Sequence, residues 1–514
     1  MFFKTSIIHP FLFAVFPIIH LYSINFFEVS IDEIILPILV SVLVTCVFLI
    51  LSKLILKDWV KSGLIVSLLI ILVFFYGHIY NLLNTGILAD AEIGRHRYLM
   101  IMSLVVFIIG TVLIIKTQIK LDNLNIIINV IAITLIIITI PNFTYGSIST
   151  LEANEEMQLE RHEKIYELKN TDILNSTEKP DVYYIILDGY GGTKRMKQDF
   201  GFDNYGFLSE LTNRGFFASD SSSSNYPSTQ WSVPSIFSMN YLPTKEKEQS
   251  DIKYAFLIRE LQWKNEVMRN FHDLDYEIIT YQPSGYNDRH FGFVDQFFCQ
   301  EENSKNSKFN EALLRISILN YFINLMELEN KRQNILCGFS EIVNLKENEN
   351  KPIFAFMHLM IPHPPYAFDS NGGLVIGGRV HTEEGSFVDE EKYVNTIKFT
   401  NKKILEVVEN ILENNEKAII IIQSDHGYDF EINHKNPSKT SLKQRFSNIN
   451  AIYVPDKDVF YEGVTPVNTF RIIFNEYFGA SYEILEDRMY YHPYAANIIH
   501  KDIKFQDITK IIVN

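Results

Sequence analysis

Three short segments in the second half of this 514-residue chain carry side chains suited to metal-dependent chemistry. Asp188 directly follows one apolar run, the pair Asp425 and His426 follows another, and Thr229 lies between them in a polar segment. Carboxylate and imidazole together suit a divalent metal, and a coordinated metal activates a hydroxyl as a nucleophile. Singly, each signal is weak, since an Asp before Gly is usually a turn and a Thr in such a loop usually caps a helix. An Asp-His pair at a strand end is more unusual.

Alternating apolar runs and helical patterns separate these segments. The runs are rich in β-branched and aromatic residues, as in strands buried on both faces, and they cover 181–187, 276–280, 352–358 and 418–422. Longer helical patterns cover 309–328 and 393–412. This alternation predicts a mostly parallel α/β sheet with helices on both faces. Because active sites form beyond the carboxyl ends of such strands, Asp188, Asp425 and His426 are the residues to examine there.

In this order the segments resemble the sulfatase and phosphoethanolamine-transferase branch of the alkaline phosphatase superfamily. The transferase nucleophile segment reads Thr-x-x-Ser-x-Pro-x-x-Phe-Ser, and the chain matches it at Thr229, Ser232, Pro234, Phe237 and Ser238. The resemblance covers about residues 179–487. It implies an α/β sulfatase-like domain of the alkaline phosphatase type, with a mostly parallel central sheet.

The resemblance also implies roles for individual residues. It assigns one divalent metal, zinc first with manganese, magnesium or calcium as alternatives, to Asp188, Thr229, Asp425 and His426. Thr229 is also the implied nucleophile. A histidine segment around His363 resembles the substrate side of the family site, which makes His363 a catalytic and substrate-binding candidate. His358 and His434 are further substrate-binding candidates, although a solvated loop histidine is the simpler interpretation of His434.

Two departures from the family pattern bear on the substrate. Sulfatases convert a Cys or Ser, in a Cys/Ser-x-Pro-x-Arg setting, to formylglycine, whereas this chain has Thr229 and Val233 at those positions. Sulfate-ester hydrolysis is therefore disfavoured. The transferases usually carry Glu where this chain has Asp188, which leaves the donor open.

The first part of the chain is dominated by five apolar runs, each close to the roughly 20 residues that cross a bilayer. They are Ser6–Phe27, Ile34–Leu51, Gly63–Leu82, Tyr98–Ile115 and Leu124–Ile140. Lysines flank one side of these runs, at positions 4, 53, 57, 61, 116 and 120. Because cytoplasmic loops carry the excess of Lys and Arg, that side is the predicted cytoplasm. We therefore predict a multi-pass protein of the plasma or inner membrane, with everything after residue 141 extracytoplasmic.

The predicted domains are a five-helix transmembrane region at 1–141, a connecting arm at 142–178 and the sulfatase-like catalytic domain at 179–514. The predicted outer side also carries basic residues, at Arg95, His96 and Arg97, which the charge rule does not expect. They are either a tolerated exception to the rule or a cationic patch that faces anionic lipid. Cys299 and Cys337 lie in the outer domain, where a disulfide is permitted, but the sequence leaves their pairing open. The net charge of −15 argues against nucleic-acid binding.

Three functions remain in view at this point. The leading hypothesis is metal-dependent transfer of a phosphoryl-type headgroup to or from an envelope lipid or glycan through a covalent Thr229 intermediate. A membrane-bound hydrolase of sulfate or phosphate esters is the second. A non-catalytic envelope protein that keeps the fold is the third, and the loss of a metal ligand would have favoured it.

Overall fold

The computed structural model describes residues 6–25, 29, 31–84, 96–160, 179–243, 254, 257–258, 260–281, 292–299, 308–345, 351–375, 389–428, 430–431, 441–492 and 504–513. The chain divides into two compact units. We call residues 1–162 and 303–327 the membrane unit, and residues 163–302 and 328–514 the sheet unit.

Long apolar helices dominate the membrane unit: α1 (His9–Asn25), α2 (Ile35–Leu56), α3 (Trp59–Asn84), α4 (His96–Lys116) and α5 (Asp122–Glu160). Four described helical stretches are long and apolar enough to cross a membrane, namely Ile31–Leu56, Trp59–Tyr80, His96–Lys116 and Asp122–Thr144. Four of the five predicted crossings are thus confirmed. The first falls on α1, whose 17 residues measure about 26 Å, somewhat less than the roughly 30 Å of hydrocarbon. That crossing stays a prediction.

Buried polar side chains join three of these helices. His9 at the start of α1 lies 2.5 Å through Nδ1 from Ser67 Oγ of α3 and 3.1 Å through Nε2 from Asn125 Oδ1 of α5. Asn129 Oδ1 accepts the His9 backbone N–H at 3.0 Å. In an apolar medium such side chains hold helices together, because an unpaired polar group there is costly.

Two predicted features of the membrane region lie partly outside the described residues. α5 runs through Pro141 to Glu160, so this helix extends into the predicted connecting arm, and the domain boundary at 141 stays a prediction. In the predicted cationic patch, Arg95 is outside the described residues. His96 begins α4, with its Nδ1 3.0 Å from Tyr76 Oη.

Among the described residues, the central sheet of the sheet unit has seven strands, in chain order β1 (Val182–Leu187), β2 (Phe217–Ser219), β3 (Glu277–Tyr281), β4 (Gln296–Phe298), β5 (Ile353–Leu359), β6 (Ile419–Gln423) and β7 (Asn450–Tyr453). Their order across the sheet is β2-β7-β6-β1-β5-β3-β4. β1 is central and parallel to both neighbours, pairing Leu187 with Leu359 of β5 and Ile186 with Gln423 of β6. β7 alone is antiparallel to its neighbours β6 and β2. The prediction of a mostly parallel sheet is confirmed.

The helices that follow β1 in the chain are α6 (Thr193–Phe200), α7 (Tyr205–Asn213), α8 (Thr229–Ser238), α9 (Glu266–Asp273), α10 (Lys308–Arg315), α11 (Asn320–Glu341), α12 (Glu390–Asn414), α13 (Leu442–Phe446), α14 (Pro466–Phe478) and α15 (Thr509–Val513). Two short strands, β8 (Tyr490–Tyr491) and β9 (Gln506–Asp507), pair with each other. Of these helices, α10 and the first turns of α11 belong to the membrane unit.

Both faces of the sheet are covered. Because successive strand residues point to opposite faces, Tyr183 and Ile185 enter one core and Tyr184 and Ile186 the other. α12 covers the first face, and α14 covers the second. A disulfide joins Cys299 to Cys337, which answers the question that the sequence left open.

Candidate metal and nucleophile site

The predicted ligands follow neighbouring parallel strands at one edge of the sheet. Asp188 directly follows β1, and Asp425 and His426 follow β6 after a single Ser. His358 is the penultimate residue of β5. Since β1 lies between β5 and β6, the carboxyl ends of all three strands meet at this edge.

The side chains converge to contact distance. His426 Nε2 lies 3.6 Å from Asp188 Oδ1 and 3.4 Å from Asp425 Oδ2. His358 Nε2 lies 3.3 Å from Asp188 Oδ2. Asp188, His358 and Asp425 each offer a ligand atom, and these atoms all lie within 4.8 Å of one another. The structure thus brings Asp188, Asp425 and His426 together, and it adds His358, which the sequence analysis assigned only to the substrate.

Thr229 meets the same group of side chains. It is the first residue of α8, preceded by Ser228 in an extended conformation. Its Oγ1 donates to Asp425 Oδ2 at 2.5 Å and lies 3.4 Å from His426 Nε2. The hydroxyl is therefore next to two candidate ligands and at a helix N-terminus, where the backbone favours an anion.

The backbone fixes which nitrogen of two histidines faces away from the peptide chain. His426 Nδ1 donates to Gly427 O at 2.8 Å, and His363 Nδ1 donates to Pro364 O at 2.6 Å. A carbonyl oxygen only accepts, so Nδ1 carries the proton in each neutral ring and Nε2 keeps the lone pair. In His426 that lone pair belongs to the nitrogen beside the two carboxylates.

Burial and neighbouring charges tune these groups. Burial raises the pKa of Asp188, but the nearby His363, His358 and His426 outweigh it and hold this pKa well below its ordinary value. Burial, assisted by Arg445, lowers the pKa of His426 to about 4, so its ring is neutral near pH 7. Burial also lowers the pKa of His363. An ionised Asp188 and a neutral His426 are the protonation states in which these side chains bind a metal.

Two buried atoms at this edge support a cation. Asp188 Oδ1 is buried and has no hydrogen-bond partner among the described residues, and the buried His358 Nε2 has none there beyond its 3.3 Å approach to Asp188 Oδ2. An unpaired buried carboxylate oxygen is expensive unless a ligand satisfies it. The donor set of two carboxylates and imidazole is one that zinc and related divalent ions accept. The residues present therefore fit the predicted metal.

The Asp425–His426 turn depends on Gly427. Its N–H donates to Arg445 O at 2.7 Å. A Cβ at this position would lie 1.9 Å from Gln444 O and 2.5 Å from Ser447 O, both backbone atoms, so only glycine fits. The chain after β6 is thus held tightly against the segment 444–447.

Two cations near the site were not assigned from the sequence. Arg445 is buried, donating through Nη1 to Gly427 O at 3.3 Å and through Nε to Pro227 O. It therefore connects the metal-ligand turn to the segment preceding Thr229. Lys331 Nζ donates to His363 O at 2.6 Å and to Pro365 O at 3.1 Å. Neither residue belongs to the motifs that the sequence analysis used, and Lys331 looks like any other helix lysine in the sequence.

The remaining predicted residues have different outcomes. His363 lies in the loop after β5, close to Gly189, the residue that follows Asp188. The Cα of His363 is 3.9 Å from the point where a Cβ on Gly189 would stand. The loop contains two cis peptide bonds, before Pro362 and Pro365. His434 lies outside the described residues. The roles assigned to all these side chains stay predictions.

The fold and the site together define an α/β domain with a metal-type centre at the carboxyl edge of its sheet, in a protein with membrane-spanning helices. A family model described as Sulfatase matches residues 180–449, slightly more than half of the chain. The chain therefore belongs to the Sulfatase family.

Solved structures similar to this chain include a periplasmic domain and an integral membrane transferase. The C-terminal periplasmic domain of EcEptC from Escherichia coli is 12% identical, covering 66% of this chain and 95% of that one, with a TM-score of 0.43. Lipooligosaccharide phosphoethanolamine transferase A (EptA) from Neisseria meningitidis is 13% identical, covering 86% and 88%, with a TM-score of 0.37. A protein in the alkaline phosphatase superfamily from Vibrio parahaemolyticus is 10% identical, covering 65% and 72%, with a TM-score of 0.37. Comparison with curated proteins finds no match.

Proposed function

We propose that this protein is a metal-dependent enzyme that transfers a phosphoryl-type headgroup to or from an envelope lipid or glycan. The observation that carries the proposal is the contact of Thr229 Oγ1 with Asp425 Oδ2 at 2.5 Å, with His426 Nε2 3.4 Å away. A threonine hydroxyl is a weak nucleophile on its own, and a carboxylate and a metal site beside it are the usual means of activating one.

In the first half of the proposed reaction, Thr229 Oγ attacks the phosphorus of the donor headgroup. Its proton leaves along the hydrogen bond to Asp425 Oδ2 and passes on to water, so that Asp425 stays ionised as a metal ligand. The bond from phosphorus to the donor's ester oxygen breaks, and that oxygen takes a proton from His363. Since Nδ1 of His363 is bonded to Pro364 O, the transferred proton is the one that Nε2 carries when the ring is in its imidazolium form.

The second half reverses these roles. A hydroxyl of the acceptor gives its proton to His363 and attacks the same phosphorus. The bond to Thr229 Oγ breaks, and the threonine regains its proton from water along the hydrogen bond to Asp425. Donor and acceptor thus use one site in turn, and water in place of the acceptor would turn transfer into hydrolysis.

Asp188, Thr229, Asp425 and His426 are the residues proposed to hold the metal, with His358 beside them. When bound, a divalent ion supplies charge stabilisation for the phosphoryl oxygens and lowers the pKa of a coordinated hydroxyl. Zinc is the first candidate, and manganese, magnesium and calcium are alternatives.

The membrane helices support a lipid as donor, acceptor or both. One helix would be enough for tethering, whereas this chain has at least four candidate crossings among its described residues. Lys53 and Lys57 at the end of α2, and Lys116 at the end of α4, place those ends in the cytoplasm by the charge rule. α5 then leads outward, so the sheet unit is proposed to be extracytoplasmic whether or not α1 crosses.

Hydrolysis of sulfate or phosphate esters is the second candidate, and membership of the Sulfatase family favours it. Thr229 and Val233 argue against the formylglycine route within that family. A non-catalytic role would be expected to tolerate loss of ligands, yet competent side chains stand at all four predicted metal positions.

One assay separates these candidates. Purified full-length protein with zinc is incubated with vesicles whose phospholipid carries a radiolabelled headgroup, with and without a second envelope lipid or glycan. Transfer predicts diacylglycerol release with the label moving to the acceptor. Label released only as free phospho-headgroup would favour hydrolysis. If no lipid is consumed and a panel of soluble sulfate and phosphate esters also stays intact, the enzymatic proposal is wrong.

A further inference from the structure

A segment from the middle of the sheet unit's sequence packs with the membrane helices. Helix α10 and the first turns of α11 belong to the same compact unit as α1–α5. Phe309, which is 1% exposed, and Leu313 form one apolar cluster with Ile18 and Tyr22 of α1. These contacts fix one side of the segment against a membrane helix.

The backbone of this segment also bonds directly to α3. Gly77 N donates to Ile316 O at 3.0 Å, and Ile318 N donates to Val73 O at 2.9 Å. A Cβ at Gly77 would lie 2.5 Å from Arg315 O, so the close approach requires glycine there. Two reciprocal backbone bonds to a helix are unusual, because helix backbone groups normally bond within the helix.

The contact lies within the membrane-crossing part of α3. That crossing stretch is Trp59–Tyr80. At 1.5 Å per residue, Val73 is about 10 Å along the helix from Tyr80. The segment therefore reaches a depth at which the surroundings of the helix bundle are lipid and not water.

One face of the segment is apolar and uncovered. Leu319, Phe322 and Met326 are 45%, 55% and 60% exposed. Their spacing of three and four residues puts them on one side of α11 and the residue before it. At the two ends of this stretch Arg315 and Glu327 pair through two hydrogen bonds of 3.0 and 2.5 Å, so these two charges compensate each other.

We propose that residues 308–326 form a membrane-seated segment whose apolar face of Leu319, Phe322 and Met326 contacts the acyl chains of the bilayer. Lipid is the expected contact of that face, because the segment is hydrogen-bonded to α3 within the membrane-crossing stretch of that helix. Large apolar side chains with this much exposure are otherwise mostly on α2, α4 and α5, which face lipid themselves. The proposal does not depend on which reaction the protein catalyses.

Spin-label accessibility in vesicles tests the proposal. In a Cys46→Ser background the other two cysteines are bonded to each other, so a single label can be placed by Phe322→Cys or, independently, Met326→Cys. The full-length proteins are reconstituted in phosphatidylethanolamine and phosphatidylglycerol vesicles. Collision rates with oxygen, which enters lipid, and with a water-soluble nickel chelate are then measured by electron paramagnetic resonance.

Two positions of the same chain calibrate the result. Leu43→Cys lies on the exposed face of α2 and reports lipid, and Glu413→Cys lies on the exposed surface of α12 and reports water. We expect labels at 322 and 326 to match position 43, with oxygen access high and nickel access low. High access to both reagents, as at 413, would overturn the proposal in favour of water. Low access to both would overturn it in favour of a covering protein partner.

Discussion

At the residue scale, the chemistry rests on whether a few side chains that meet at one sheet edge bind a metal. The unpaired Asp188 Oδ1 and the contact between His426 and both carboxylates are the basis for expecting that they do. The depressed pKa of Asp188 keeps it ionised over the whole working range of pH.

Asp188→Asn or Asp425→Asn should therefore abolish stoichiometric zinc binding, because each change keeps the shape but removes a ligand charge. Bound metal is measured by mass spectrometry after dialysis of the full-length protein in detergent. Asp273→Asn on the exposed surface of α9 is the matched control and should keep its metal. Retained zinc in both site variants would show that the metal is bound elsewhere.

At the element scale, the turn after β6 is the most constrained connection in the site. Gly427→Ala would force Cβ into Gln444 O and Ser447 O, and backbone cannot move aside as a side chain can. We expect a loss of about 1–3 kcal/mol in stability, as for other overpacked sites. The apparent Tm of the full-length protein in detergent should fall by several degrees.

Gly206→Ala in α7 provides the comparison. Nothing lies within 4 Å of a Cβ there, and alanine is the better helix former by about 1 kcal/mol. Its Tm should be unchanged or slightly higher. Equal effects at both positions would contradict the role assigned to the close packing of Gly427.

Four of the seven strands of the described sheet were predictable because each is an apolar run of the right length, whereas β2, β4 and β7 are short and were not predicted. β1, β3, β5 and β6 fall within one residue of the predicted runs. The predicted helix at 309–328, in contrast, is broken between α10 and α11. Ser317 Oγ donates to Leu314 O and accepts from Leu319 N, which ends the first helix locally. The periodic spacing of the apolar residues continues through the break, so the sequence pattern did not indicate that a helix ends there.

The same limit applies within the site. Asp188, Thr229, Asp425 and His426 were found because a local motif marks each. The closeness of His358 to Asp188 and the bonds of Lys331 depend on strand order and on a helix distant in sequence. No local pattern reports such contacts.

At the scale of the whole molecule, the account requires the sheet unit to lie outside the cytoplasm. A membrane-impermeant thiol reagent applied to intact cells, or to spheroplasts if an outer membrane blocks access, tests this with Glu413→Cys in the Cys46→Ser background. We expect labelling at 413 without cell lysis, and Lys57→Cys at the end of α2 should react only after lysis. The reverse pattern would overturn the topology.

The most direct test of the central claim is peptide mass mapping of Thr229 after incubating the full-length protein with zinc and total membrane lipids. The account predicts a phosphate-containing adduct on Thr229 whose mass identifies the headgroup. The Thr229→Ala variant should carry no adduct, because it lacks the hydroxyl. The Thr229→Ser variant keeps a hydroxyl and should carry the adduct at position 229. An unmodified Thr229 under conditions in which lipid headgroups are consumed would contradict the covalent mechanism.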